Sequence, residues 1–291
     1  MSDNGVSSEA SAAAEPIRLG GMALRNGLLI HGPSAWAAAA RAPDGSIEVA
    51  SGPKPAFAQG RLGKVPGLRG PLRLAEALAV VPVARWNLRS ARLPLEDRRV
   101  IAAAVATAAA SGLTRRWRAA DDGAGAAATR EVVVSLLGIV PALAALRDRD
   151  LAAYHGVEHK AIGAYEKGSL DPHDAPKEHQ RCGSNLIAPL LAFSVAGQVA
   201  TESLLERPGS IARAVAGTGA VSAAVEVFAF AERNPESAVG RAVHAAGHEI
   251  QRVLSTREPS EEQIEVGVAA LRAVLGEEGK LKGDGVGADT F

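Results

Sequence analysis

One cysteine, Cys182, stands in the whole 291-residue chain. That excludes an internal disulfide, and with it the oxidised secreted scaffolds, so a reducing, cytosolic setting fits and the thiol is left for packing or for a metal. Aromatic residues make up only 3%; alanine fills most of the apolar quota, and apolar runs are less hydrophobic than their length suggests. Charge of one sign is missing too. With 32 basic against 32 acidic residues, no basic surface for nucleic-acid phosphates is expected. The first fifteen residues have neither a basic start nor a continuous apolar stretch. Met1 to Glu15, rich in Ser, Ala and acids, predicts a disordered tail rather than a signal peptide, and residues 278–291 predict a second one. No internal repeat of fixed period is found.

What is present falls into two patterns. From Leu19 to Ser51, short apolar runs are broken by Gly20-Gly21, Gly32-Pro33 and Pro43-Asp44-Gly45, which predicts three short strands joined by turns, the last a hairpin. Residues 51–70 have no periodicity and read as a loop. Leu72 to Arg92 predicts an amphipathic helix interrupted near Pro82. Four long runs follow: Val100–Thr114, Val132–Leu146, Ser184–Thr201 and Ala214–Ala231. At 1.5 Å per residue, runs of this length cover roughly 22 to 27 Å, just short of the roughly 30 Å hydrocarbon core of a bilayer. Arginines at 98, 99, 115, 116, 118, 130, 147 and 149 edge the first two runs as they edge membrane segments; a soluble alanine-rich helical core is the other reading. Pro259-Ser260-Glu261-Glu262 opens a last amphipathic helix. The fold class expected is mainly α: a helical bundle of about four long apolar helices, with a small N-terminal β element at 16–51, a bundle over 72–277 and a C-terminal amphipathic helix, all in one domain spanning 16–277.

Between the second and third runs lies Tyr154-His155-Gly156-Val157-Glu158-His159-Lys160, an H-x-x-E-H pattern. Residues i and i+4 of a helix share one face, so His155 and His159 can grip one metal ion while Glu158 handles the proton of a water beside it. The order is that of the inverzincin metalloproteases. Twenty residues on, His179-Gln180-Arg181-Cys182-Gly183 adds two more candidate ligands. Four of the seven histidines and the one cysteine thus lie between residues 155 and 182.

Several separate stretches resemble one family, the YqhQ-like proteins (domain of unknown function 1385), described as predicted metal-dependent enzymes of the bacterial membrane. Gly20-Gly21 through Gly32-Pro33 and Arg41-Ala42-Pro43-Asp44-Gly45 are similar to its opening and first hairpin, and Pro66-Gly67-Leu68-Arg69-Gly70 to its next patch. Tyr154 to Glu166 is similar to its central motif, His179 to Ser184 to its H-P-R-C-G-T, and Ser255-Thr256-Arg257-Glu258-Pro259 with Gln263-Ile264-Glu265-Val266 to its closing segment. The resemblance spans about residues 19 to 275. It implies a cytoplasmic-membrane location, contact with lipid, a site facing the cytoplasm and a metal, without a substrate. Met22 and Asn26 stand where members usually carry glutamine and glutamate, which weakens any polar role there.

Inverzincins take a third ligand, a glutamate on another helix, and Glu226 is the candidate: it is the only charge in its 18-residue apolar run, and burying it unpaired would cost several kcal/mol. His179 and Cys182 are the alternatives. If both join His155 and His159, the shell is closed and structural; if one ligand completes an open site, water remains. Zinc suits nitrogen, sulfur and carboxylate ligands. The open case predicts metal-assisted hydrolysis with Glu158 as base and Arg181 offsetting developing negative charge; the closed case predicts a non-enzymatic membrane scaffold or assembly protein. Arg257 and Glu258 read as a local ion pair, Tyr154, Tyr165 and Glu166 as packing around the motif, and His31, His173, His244 and His248 as solvated or core residues.

Overall fold

The computed structural model describes residues 15–57, 65, 69–116, 124–205 and 209–280. The expected N-terminal tail up to residue 14, most of the loop at 58–68 with its Pro66-Gly67-Leu68 patch, and the end of the C-terminal tail from 281 lie outside the described residues. Within them the fold is mainly helical with a small antiparallel sheet at its start, as the sequence predicts.

The sheet is a meander of four strands rather than three: β1 (Gly20–Leu24), β2 (Gly27–His31), β3 (Ala35–Arg41) and β4 (Ile47–Pro53), in the order β1-β2-β3-β4. The extra strand arises because the chain reverses at Arg25-Asn26, just before Gly27, an Asn-Gly turn signal that the three-strand reading passes over. Asn26 locks that reversal. Its amide donates to Arg41 O and Ser90 O, each at 2.9 Å, and its carbonyl accepts from Arg92 N, so the position is polar in its work after all.

Six of the seven β3 residues are buried, because both faces of the sheet are covered. Side chains alternate between faces. On one side Leu28, Ile30, Ala37 and Ala39 pack against α5 (Arg149–Glu166) and α9 (Glu261–Glu277). On the other, Leu29, Trp36, Ala38 and Ala40 pack against Val80, Ala84 and Leu88 at the end of α1 (Arg69–Asn87). Alanine suits a strand squeezed between two helical layers, since a larger side chain would push the helices away. Pro82 lies inside α1 without breaking it.

The apolar runs form a second layer: α2 (Arg98–Arg116), α3 (Ala124–Leu137), α4 (Val140–Leu146), α6 (Ile187–Leu204) and α7 (Ser210–Arg233), followed by α8 (Ala238–Ile250). The second run breaks into α3 and α4 at Gly138-Ile139, with Pro141 inside the first turn of α4. Three segments, Thr129–Leu146, Gly183–Leu204 and Ser210–Arg233, are long and apolar enough to cross a membrane. Charges at their ends are paired: Arg130 meets Glu202 at 3.3 Å and Arg115 meets Glu131 at 3.2 Å, tying α3 to α6 and to α2. Truncating one partner of such a buried pair strands the other.

Glu278, at the start of the expected C-terminal tail, is held in place: its carboxylate accepts from the backbone N–H of Ser34 and Ala35 and from the Ser34 hydroxyl, each at 2.8 Å.

Candidate functional site

Helix α5 carries the H-x-x-E-H pattern and is fixed at its start by Asp148, whose carboxylate accepts from Asp150 N and Leu151 N and also meets Arg25 Nε at 2.7 Å. One residue therefore caps the helix and ties it to the β1–β2 turn. Farther along, Gly156 lets the chain after α8 come close. A Cβ there would lie 2.3 Å from Arg257 O, and Arg257 N donates to Ala152 O at 2.9 Å. Gly21 of β1 clears the opposite side, since a Cβ on it would stand 2.7 Å from Glu158 Cγ and 2.8 Å from Leu29 O.

These close approaches set the imidazoles. His155 Nδ1 lies 2.8 Å from Ser255 O and His159 Nδ1 lies 2.6 Å from Lys177 O. A carbonyl only accepts, so each Nδ1 carries the proton and each Nε2 presents a lone pair. Cys182 Sγ stands 3.4 Å from His155 Nε2, and one ligand atom each from His155, His159 and Cys182 lie within 4.8 Å of one another. His159 Nε2 is buried and has no hydrogen-bond partner among the described residues. Leaving a buried lone pair unmatched costs free energy, and a cation shared with Cys182 and His155 would match it. The donor set fits a divalent metal: two neutral imidazoles oriented by backbone carbonyls, and one sulfur.

Glu158 is buried beside the set, its Oε2 3.9 Å from both Nε2 atoms. Burial raises its pKa, opposed in part by His155 and His179. Burial takes the His159 imidazole down to about 2 and pushes the Cys182 thiol up to about 11, with Glu158 adding to the latter. All three shifts favour uncharged forms, with burial the largest cause of each.

The remaining candidates stand apart from the three-ligand set. His179 Nε2 turns to Glu166 Oε2 at 3.1 Å, and its ring centre lies 5.8 Å from that of His159; Arg181 is in contact with the same Glu166 carboxylate. Glu226 lies on α7 and is not a member of the set. Glu258, expected beside Arg257, instead meets Lys160 Nζ at 2.7 Å. Tyr154 is buried in the core, and the Tyr165 hydroxyl accepts from Ile17 N. His173 is exposed between Asp171 and Glu261, His31 lies by Lys54, His244 near Glu232, and His248 is exposed.

Sequence reasoning missed Gln251, which opens a π-helical turn at Gln251–Ser255. Only 1% exposed, it accepts from His179 N at 2.7 Å and donates to His179 O and the Ser184 hydroxyl, clamping the loop that carries Cys182. The same turn presents Ser255 O to His155, and single π turns recur at functional sites. A glutamine among the polar residues His248, Glu249 and Arg252 gives no sequence signal of either role.

Beside the set opens a cavity of about 990 Å³. His155, Glu158, His179, Arg181, Cys182 and Ser255 contribute to its polar end, and α4, α6 and the end of α8 supply apolar walls.

No curated protein and no solved structure matches the chain. Residues 130–277, just over half of its length, match the family described as "Protein of unknown function (DUF1385)". That span runs from α3 to the end of α9 and holds every ligand candidate, while the sheet lies before it. On this match the chain belongs to the DUF1385 family.

Proposed function

We propose that the protein is a membrane-associated, metal-dependent hydrolase in which His155, His159 and Cys182 hold a divalent cation, zinc by the chemistry of the donor set. The observation that carries this reading is the pair of Nδ1–H groups committed to Ser255 O and Lys177 O, which leaves both Nε2 lone pairs converging on Cys182 Sγ. When bound, such a cation supplies Lewis acidity and lowers the pKa of water towards neutrality. Glu158, 3.9 Å from both imidazoles, takes the proton of the attacking water and returns it to the leaving group. Arg181, on the wall of the cavity, offsets negative charge that develops at the reacting centre. The Ser255 and Lys177 carbonyls keep the imidazoles in one tautomer throughout. The three apolar helices support placement in a membrane, with the site beside their ends rather than in mid-span.

Metal analysis of the purified protein is the test. Wild type is expected to carry about one zinc per chain, His155→Ala to lose it, and Glu158→Gln to keep it while losing hydrolysis. Loss of zinc from Glu158→Gln as well would make the carboxylate a fourth ligand, closing the shell and turning the reading to a structural metal in a membrane scaffold. Retention in the pellet after carbonate washing is the expected result for location; release would favour the soluble bundle.

A further inference from the structure

We infer that the substrate of this site is a lipid, whose hydrocarbon chain lies in the cavity while its hydrolysable headgroup reaches His155, Glu158 and Cys182; this rests on the hydrolase reading for the headgroup end alone. The cavity has two unlike ends. Its polar groups come from the middle of α5, from residues 179–184, from Ser255 and from His31 of the sheet, whereas Ile139, Ala142, Leu143, Leu191 and Leu254 form a wall without a polar side chain. Ile139, Ala142 and Leu143 belong to one candidate membrane segment and Leu191 to another, so one wall of the chamber is made by helices that would stand in the bilayer. Large apolar residues on its lining are also open to the surroundings: Leu95 is 72% exposed, Leu254 49% and Leu143 40%. Exposed apolar side chains continuous with an apolar chamber give a hydrocarbon chain a route from the bilayer without crossing water.

A volume of about 990 Å³ stands at the upper end of ligand pockets, roughly 300 to 1,000 Å³, which is ample for a long chain. A peptide fits less well. It finds main-chain partners along the edge strand β1, which lines the cavity at Gly20, Gly21, Met22 and Ala23, but the wall of Ile139, Ala142, Leu143, Leu191 and Leu254 offers no side chain to meet further N–H and C=O groups. A hydrocarbon chain makes no such demand.

The test is photolabelling of the full chain in phosphatidylcholine vesicles with a sixteen-carbon fatty acid carrying a diazirine near its methyl end. Labelling at Leu143, Leu191 or Leu254 is expected, reduced at least tenfold by excess unlabelled sixteen-carbon acid and left unchanged by butyrate. Ala142→Trp, which fills the chamber from an exposed helix face, is expected to cut that labelling tenfold with zinc content unchanged. Equal, uncompeted labelling on faces outside the chamber, such as Val105 and Ile211, would overturn the assignment. So would chamber labelling by a photoreactive apolar peptide in place of the acyl chain. Zinc is measured on the same preparation: chamber labelling without zinc sinks the hydrolase reading alone, and full zinc without competed labelling sinks the lipid alone.

Discussion

In α9, Val266, Ala270, Leu271, Val274 and Leu275 are buried against the sheet and α5. In α2, by contrast, Ile101, Val105 and Leu113 stand 48, 65 and 66% exposed, and only 17% of each candidate membrane segment is buried inside the protein. The sheet layer thus satisfies its apolar surface internally, as a water-soluble core does, while the long helices leave theirs for the surroundings. Patches of that size on a soluble monomer mark an interaction surface. The candidate site lies at the boundary between the two, with His155 and His159 on the internally packed side and the apolar wall of its cavity on the other.

The difference is sharpest in substitutions at equal chemistry. Leu271→Ala, at a fully buried position, is expected to cost about 2–5 kcal/mol, whereas Ile211→Ala, at 80% exposure, should fall within about 0.5 kcal/mol. Denaturant unfolding in a mild detergent compares them. Equal losses would mean that the apolar layer is as internally packed as the sheet.

Gly156→Ala probes the contact on which the site depends. The added Cβ would meet Arg257 O at 2.3 Å, and overpacking of this kind costs about 1–3 kcal/mol. Because Ser255 O orients His155, zinc affinity should fall with stability, whereas Gly217→Ala, inside α7 with open space around its Cβ, should leave zinc affinity unchanged and raise stability by up to about 1 kcal/mol. Isothermal titration with zinc, run beside thermal unfolding, reads both. Asp148→Ala removes a cap and the partner of Arg25, and is expected to cost about 1 kcal/mol with zinc stoichiometry unchanged.

How much of this could be read beforehand depends on whether the cause is local. The shared face of His155 and His159 follows from helical periodicity alone, and the capping of α9 from a few adjacent residues. The choice among Glu226, His179 and Cys182 does not, because it turns on where α5, α7 and the 179–184 loop meet in space; only Cys182 joins the histidines in one set. The partners of the two Nδ1 atoms are backbone carbonyls, which carry no residue identity to read. β3 is legible from the turns that flank it at Gly32-Pro33 and Pro43-Asp44-Gly45, although burial on both faces erases the alternation that marks a half-buried strand. The break between α3 and α4 is masked because hydropathy continues across Gly138-Ile139, whereas the β1–β2 turn is announced by Asn26-Gly27, a hairpin signal that the three-strand reading passes over.

The smallest effect belongs to the rim of the sheet layer, where His173 bridges Asp171 and Glu261 at the start of α9. Hydrogen bonds to Asp171 first and Glu261 second raise its pKa above the usual imidazole value. A raised folded-state pKa stabilises the fold below the unfolded value of about 6.5 and loses that contribution as pH rises through the folded value. The stability difference between wild type and His173→Gln should therefore be greatest below about pH 6.5 and vanish in alkaline buffer. Exposure of the pair to solvent keeps it small, and salt should shrink it further. Thermal unfolding across that pH range at two salt concentrations measures it, and a difference that grows towards alkaline pH would show that the bridge does not form in solution.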